Sequence, residues 1–212
     1  MKIALIGASG FVGSAILNEA VSRGHSVTAI VRDTSKLNPH PQVRAVAVDA
    51  QDPQALADVL KGHDRVISAY NPGWSAPDIH DQYLKGASAI VEAANAAHSW
   101  LLVVGGAGSL EIAPGVQLVD TPDFPAEWKQ GALAARDGLT ALRRETTLDW
   151  RFVSPPVFLE PGEKRGGYRL GGDQVLFDGD KPAGITVGDL ADGVLNEAET
   201  PAHLRQRFTL GY

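Results

Sequence analysis

The chain of 212 residues is 44% apolar with a formal net charge of −6, a size and composition that suit one sizeable domain over residues 1–212. It has no cysteine, which excludes disulfides, thiolate metal sites and cysteine nucleophiles. The acidic balance argues against a general nucleic-acid surface, no apolar run is long enough to span a membrane, and six singly scattered histidines suggest no metal site.

The first thirteen residues, Met1-Lys-Ile-Ala-Leu-Ile-Gly-Ala-Ser-Gly-Phe-Val-Gly13, read as a strand and a glycine turn ahead of a helix. Lys2 to Ile6 is a branched apolar run suited to a parallel strand buried on both faces. Ala15 to Val21 continues at helical spacing, and Arg23-Gly24 closes that helix. A turn of this kind serves phosphate binding, because free N–H groups and the positive end of the helix macrodipole meet there. Gly7 permits the tight turn, Gly10 removes the side chain that would block a pyrophosphate, and Gly13 lets the helix pack closely on its strand. The pyrophosphate is expected over Ser9, Gly10, Phe11 and Val12, with Ser9 adding a hydroxyl. No basic or apolar leader precedes the strand, so a cytoplasmic protein is expected.

Ser26 to Val31 is a second buried strand with Arg32 at its C-terminal end, where open α/β sheets bind ligands. Arginine there can pair with the 2′-phosphate of NADP, so NADP is preferred, while Asp33 leaves the ribose hydroxyl of NAD as the other reading. Val43 to Val48 is a third strand ending at Asp49 and Ala50, and Asp52 is an N-cap for a helix Pro53 to Leu60. Arg65 to Ala69 is the fourth strand; the small Ser68 and Ala69 admit a ribose, and Tyr70-Asn-Pro-Gly73 turns the chain over the cofactor. A helix over 78–97 leads to a fifth strand, Trp100 to Val104, and to Gly105-Gly-Ala-Gly-Ser-Leu110. Ile112 to Trp128 is proline-rich and aperiodic and is expected as a loop over the active face, before a helix over 131–145. Asp149 to Val153 is a sixth strand ending in Ser154-Pro-Pro156. Gly162 to Gly172 reads as a lid or hairpin, Val175 to Phe177 as a short strand, Thr186-Val-Gly-Asp189 as a capping box, and Arg207 to Leu210 as a last strand. The alternation implies an α/β fold: a Rossmann-type doubly wound parallel sheet with a small C-terminal strand and helix appendage.

The stretches Ile6-Gly-Ala-Ser-Gly-Phe-Val-Gly13, Val31-Arg-Asp33, Gly105-Gly-Ala-Gly-Ser109, Asp149-Trp150, Ser154-Pro-Pro156 and Arg207-Phe-Thr-Leu-Gly-Tyr212 resemble the NADH-flavin reductase group of the atypical short-chain dehydrogenases/reductases. Biliverdin reductase B and the NmrA-like proteins are related groups, the first reducing flavins and bilins with NADPH, the second often sensing NADP without turnover. The resemblance implies that Asp49 accepts from the adenine amino group and that Pro155 lies beside the nicotinamide. It breaks at the catalytic centre. The wider family uses a serine and a Tyr-x-x-x-Lys helix as acid/base, and none of the four tyrosines here has lysine four residues on. Ala107 stands where the serine is expected, leaving Ser109 as the nearest hydroxyl, a candidate catalytic residue or a turn-forming serine, with Lys129 and Arg136 near the expected helix.

Three functions are compatible with these features. The first is an NAD(P)H-dependent reductase of a flavin, quinone or similar planar acceptor, a chemistry that needs little acid catalysis from the protein. The second is an NADP(H)-binding sensor acting on a protein partner without turnover. An epimerase or dehydratase on a nucleotide sugar is the third, and it lacks both its tyrosine and its larger substrate domain.

Overall fold

The computed structural model describes residues 1–212. Its first half follows the expected alternation, because each apolar run is bounded by a glycine turn or a cap. β1 (Lys2–Ile6) leads through the glycine turn to α1 (Phe11–Ser22), which ends at Arg23 and a left-handed Gly24, φ +80°. β2 (Ser26–Val31) and β3 (Val43–Ala47) follow, then α2 (Pro53–Leu60), capped by Asp52 accepting from Ala55 N–H at 3.0 Å. β4 (Arg65–Ser68), α3 (Ile79–Ala96) and β5 (Trp100–Val104) complete that half.

The segment expected as one long loop is shorter and ordered by a small hairpin of β6 (Glu111–Ala113) and β7 (Val116–Gln117). α4 (Ala126–Leu142) starts five residues before the expected Gly131, directly after Pro125 at its N-cap, and Gly131 lies inside the helix under the Trp74 indole, where an added Cβ would lie 2.6 Å from the ring. β8 (Asp149–Ser154) and β9 (Phe158–Glu160) come next. Residues 162–172 form neither a lid nor a hairpin of their own: β10 (Arg169–Gly171) pairs antiparallel with the last strand, β14 (Gln206–Gly211). The strand expected at 175–177 is instead β11 (Phe177–Asp178), paired with β12 (Lys181–Pro182). β13 (Gly184–Thr186) pairs with β9 and leads into α5 (Val187–Glu199).

The eight-stranded sheet has the order β10-β14-β8-β5-β4-β1-β2-β3 and is parallel apart from β10. The C-terminal strands are thus built into the sheet. Alternate residues of each strand feed opposite layers. Ile3, Leu5, Ile67, Leu102 and Phe208 pack with Ile16 of α1 and Leu190 and Val194 of α5. Ala4, Ile6, Val66, Leu101 and Phe152 pack with Leu56 of α2, Ile90 of α3 and Leu139 of α4. From β1 the chain runs outward through β2 and β3, then crosses to β4 on the other side of β1. That reversal places a crevice at the C-terminal ends of β1 and β4. No helix is long and apolar enough to cross a membrane.

The capping box at α5 is half made. Thr186 Oγ1 accepts from Asp189 N–H at 3.2 Å, but the fully buried Asp189 carboxylate accepts from the Tyr212 hydroxyl at 2.6 Å and from the N–H groups of Arg165 and Gly166 at 3.0 and 2.8 Å. Asp189 therefore ties residues 165–166 to α5 and the last strand. Burial by itself would raise its pKa; the Tyr212, Gly166, Arg165 and Thr186 donors outweigh burial and hold it below the usual carboxylate value. The ionised group contributes stability in full above the unfolded-state value near 3.9, and loses it as pH falls through the lowered folded value. Asp189→Asn should cost about 1–2 kcal/mol at pH 7, the margin of charge-assisted over neutral hydrogen bonds. In urea melts, parent and variant midpoints should converge below about pH 4; a constant gap down to pH 2 would contradict this account.

Candidate functional site

The crevice is built by backbone before side chains. Gly7 adopts φ +78°, and a Cβ there would lie 2.6 Å from the Ala69 carbonyl oxygen, so the turn and the end of β4 meet in van der Waals contact. At Gly13 a Cβ would lie 2.0 Å from the Gly7 oxygen, so α1 can press onto its strand only through glycine. Gly10 differs: its added Cβ would meet only the Gly7 oxygen at 3.4 Å, with open space beyond. Gly10 is the N-cap of α1 with no side-chain cap, and the N–H groups of Phe11, Val12 and Gly13 have no partner in the protein. Ser9, Gly10 and Phe11 are exposed around these free donors. An uncovered helix N-terminus in an open cradle fits a pyrophosphate, so these residues suit a dinucleotide.

At the other end of the crevice, Arg32 is exposed after β2 and makes no hydrogen bond or ion pair within the chain. Asp33, the competing reader of the ribose, is turned into its own 3-10 turn, where one carboxylate oxygen accepts from Ser35 Oγ at 2.7 Å and Ser35 N–H at 3.0 Å. Those two bonds hold its pKa below the usual value. Asp49 is exposed after β3; one carboxylate oxygen accepts Gln51 N–H at 3.0 Å and the other is free, beside the buried Ala50.

Other candidates are placed differently from expectation. The Tyr70 ring lies on Gly86 of α3, where an added Cβ would sit 2.3 Å from it, and its hydroxyl donates to the Gln82 carbonyl at 3.0 Å and accepts from Gln51 Nε2 at 3.3 Å. Burial raises its pKa; Gln51 and the Arg32 charge lower it and the Asp49 charge raises it. The Tyr70 ring thus packs on α3, while its hydroxyl lies beside Gln51 and within range of the Arg32 and Asp49 charges. Ser68 is buried on the α3/α4 side of the sheet, its Oγ accepting from Tyr70 N–H at 3.3 Å. Pro155 is buried at the end of β8.

Ser109 is 4% exposed and faces inward. Arg207 Nη1 reaches Ser109 Oγ at 3.4 Å and Ser154 Oγ at 3.3 Å, while its Nε donates to Asp173 at 2.7 Å. Ser109 is thus one arm of a buried clamp joining the loop after β5 to β14. The catalytic expectation for Ser109 finds no geometric support, since a serine facing this clamp is not presented to a substrate. Arg136 is paired with Asp120 at 3.0 Å, and Lys129 has no partner.

Three large exposed aromatic side chains, Trp74, Trp128 and Phe158, escaped the sequence reading, and a fourth, Phe11, was expected only as part of the pyrophosphate turn. Phe11, Trp74, Trp128 and Phe158 are each at least half exposed, in the segments following β1, β4, β5 and β8. The signal was available, because the loop after every parallel strand emerges at the same edge. Each is a large flat apolar surface in a segment that follows one of these strands.

A family model described as NAD(P)H-binding matches residues 7–201. The Bacillus subtilis protein YwnB is 40% identical over 214 residues, covering 99% of this chain and 98% of that one. A Bacteroides thetaiotaomicron structure proposed to be an epimerase is 41% identical, with a TM-score of 0.93 over 100% of this chain and 96% of that one. A Streptococcus pneumoniae structure proposed to be an NADH-flavin reductase is 39% identical, with a TM-score of 0.89 over 100% and 99%.

Proposed function

The chain belongs to the NAD(P)H-binding family, and on that premise we propose that it is an NADPH-dependent oxidoreductase whose acceptor is a flavin, a quinone or a similar planar molecule. The observation that carries this reading is the meeting of two features at one edge: the uncovered N-terminus of α1 and the exposed aromatic groups Phe11, Trp74, Trp128 and Phe158. The likeness to the Streptococcus protein supports the acceptor class. The cytoplasm is the proposed site of action, which cell fractionation would check.

In this reading the free N–H groups of Phe11, Val12 and Gly13 hold the pyrophosphate, and Arg32 pairs with the 2′-phosphate. Asp49 takes the adenine amino group on its free carboxylate oxygen. Ala69 and Pro155 bound the ribose and nicotinamide end of the crevice. When bound, the reduced nicotinamide supplies hydride. The exposed aromatics stack on the acceptor and fix its plane. No side chain holds a proton at the reacting atoms, because the Tyr70 hydroxyl is taken by Gln82 and Gln51 and the Ser109 hydroxyl faces Arg207. A reduced flavin or quinone takes its proton from water.

NADPH oxidation followed with FMN, riboflavin, quinones and azo dyes tests the reading. Tight NADPH binding without turnover of any acceptor would favour a nucleotide-sensing regulator, which the lack of a presented acid/base residue also suits. Ser109→Ala should lower kcat by at most about tenfold, well under the roughly 10²–10⁴ of general acid/base catalysis. A loss beyond about a thousandfold with unchanged NADPH affinity would make Ser109 the proton donor after all.

A further inference from the structure

On the sheet face away from α1, the groove between α3 and α4 opens into a pocket of about 370 Å³ that no step above uses. Its walls are apolar: Val103 and Phe152 from the strands, Leu84 and Ile90 from α3, Leu142 from α4. Small residues create the space. Ala87 of α3 and Gly138 of α4 line it, and a Cβ on Gly138 would lie 3.0 Å from the Tyr83 ring, which crosses from one helix to the other.

Two buried hydroxyls in that wall are unfinished. The Tyr83 side chain is 6% exposed; its oxygen makes no hydrogen bond within the protein and keeps some accessible surface. Burial, with a smaller contribution from Tyr70, pushes its pKa up to about 12, so it is a neutral donor. Ser68, 2% exposed, accepts from Tyr70 N–H but its own hydroxyl hydrogen has no acceptor. Both hydroxyls still have a hydrogen to donate to an oxygen placed in the pocket. The charges point the same way. Asp137 and Glu145 line the pocket and no Lys, Arg or His does. Anions, and with them the nucleotide and any phosphorylated flavin, are disfavoured, since a buried negative charge beside carboxylates has nothing to offset its desolvation.

We propose that the α3/α4 pocket binds a small uncharged aromatic compound carrying a hydrogen-bonding oxygen, a phenol or a ring ketone, whose oxygen is met by Tyr83 and Ser68. One or two fused rings fill the apolar space between Phe152 and Leu84. The site is separate from the glycine cradle and stands whether or not the chain turns over NADPH.

Calorimetry of the nucleotide-free protein with 2-naphthol, which is not a hydride acceptor, tests this directly. Saturable one-to-one binding is expected, with 2-naphthoate at pH 7 at least tenfold weaker because of its charge. Ala87→Leu, which fills the pocket with a good helix former, should abolish binding in a protein with parent-like circular dichroism. Tyr83→Phe, which removes only the hydroxyl, should weaken it about three- to tenfold. Absence of saturable 2-naphthol binding, equal affinity for 2-naphthoate, or parent-like affinity in either variant would overturn the assignment.

Discussion

Gly10→Val is expected to weaken NADP(H) binding by at least about a hundredfold while the protein stays folded. The added side chain enters the open space over the first turn of α1, because only the Gly7 oxygen, at 3.4 Å from the added Cβ, lies near it on the protein side. A pyrophosphate held off by that side chain loses its approach to the free N–H groups of Phe11 and Val12. Charge-assisted hydrogen bonds contribute about 1.5–3 kcal/mol each, so losing two exceeds the roughly 2.7 kcal/mol of a hundredfold change. Gly13→Ala is the control. Its Cβ would sit 2.0 Å from the Gly7 oxygen, so the damage goes into the packing of α1 on β1 and appears as a lower melting temperature. Calorimetric titration with NADPH, paired with thermal melts, separates the two. Unchanged affinity in a folded Gly10→Val protein would move the nucleotide elsewhere.

Arg32→Ala is expected to weaken NADPH by about 10- to 150-fold, the equivalent of roughly 1.5–3 kcal/mol for a charge-assisted pair, and NADH by no more than about twofold. The asymmetry follows from two neighbours. Arg32 has no partner in the chain, so its guanidinium is free for a phosphate, while Asp33 spends a carboxylate oxygen on Ser35. If the parent binds NADH and NADPH equally, the ribose is read by Asp33, and Asp33→Ala should then weaken NADH instead.

Much of the architecture was legible because it is written locally. Lys2 to Ile6, the glycines at 7, 10 and 13, the Asp52 cap and the Gly24 stop each act within a few residues, and backbone sterics carry them into strand, turn and helix. The crevice was legible for the same reason, since a doubly wound sheet puts every strand's C-terminal end at one edge. Gly131 looked like a helix boundary, yet it lies inside α4, which starts after Pro125, and the Trp74 ring, 57 positions earlier in the chain, packs against it.

Chain order and the open glycine turn ahead of α1 were thus determined by the sequence alone. The directions of the deciding side chains were set only by tertiary structure. Ser109 faces Arg207 across 98 residues, Tyr70 spends its hydroxyl on Gln82 and Gln51, and Tyr83 leaves its own unpartnered between two helices. A hydroxyl rotates freely in an isolated segment, and its direction is chosen by whichever donor, acceptor or void the folded chain brings against it. No spacing in the sequence encodes that choice, so the crevice could be read in advance, while the clamp that buries Ser109 against Arg207 and the pocket beneath α3 and α4 could not.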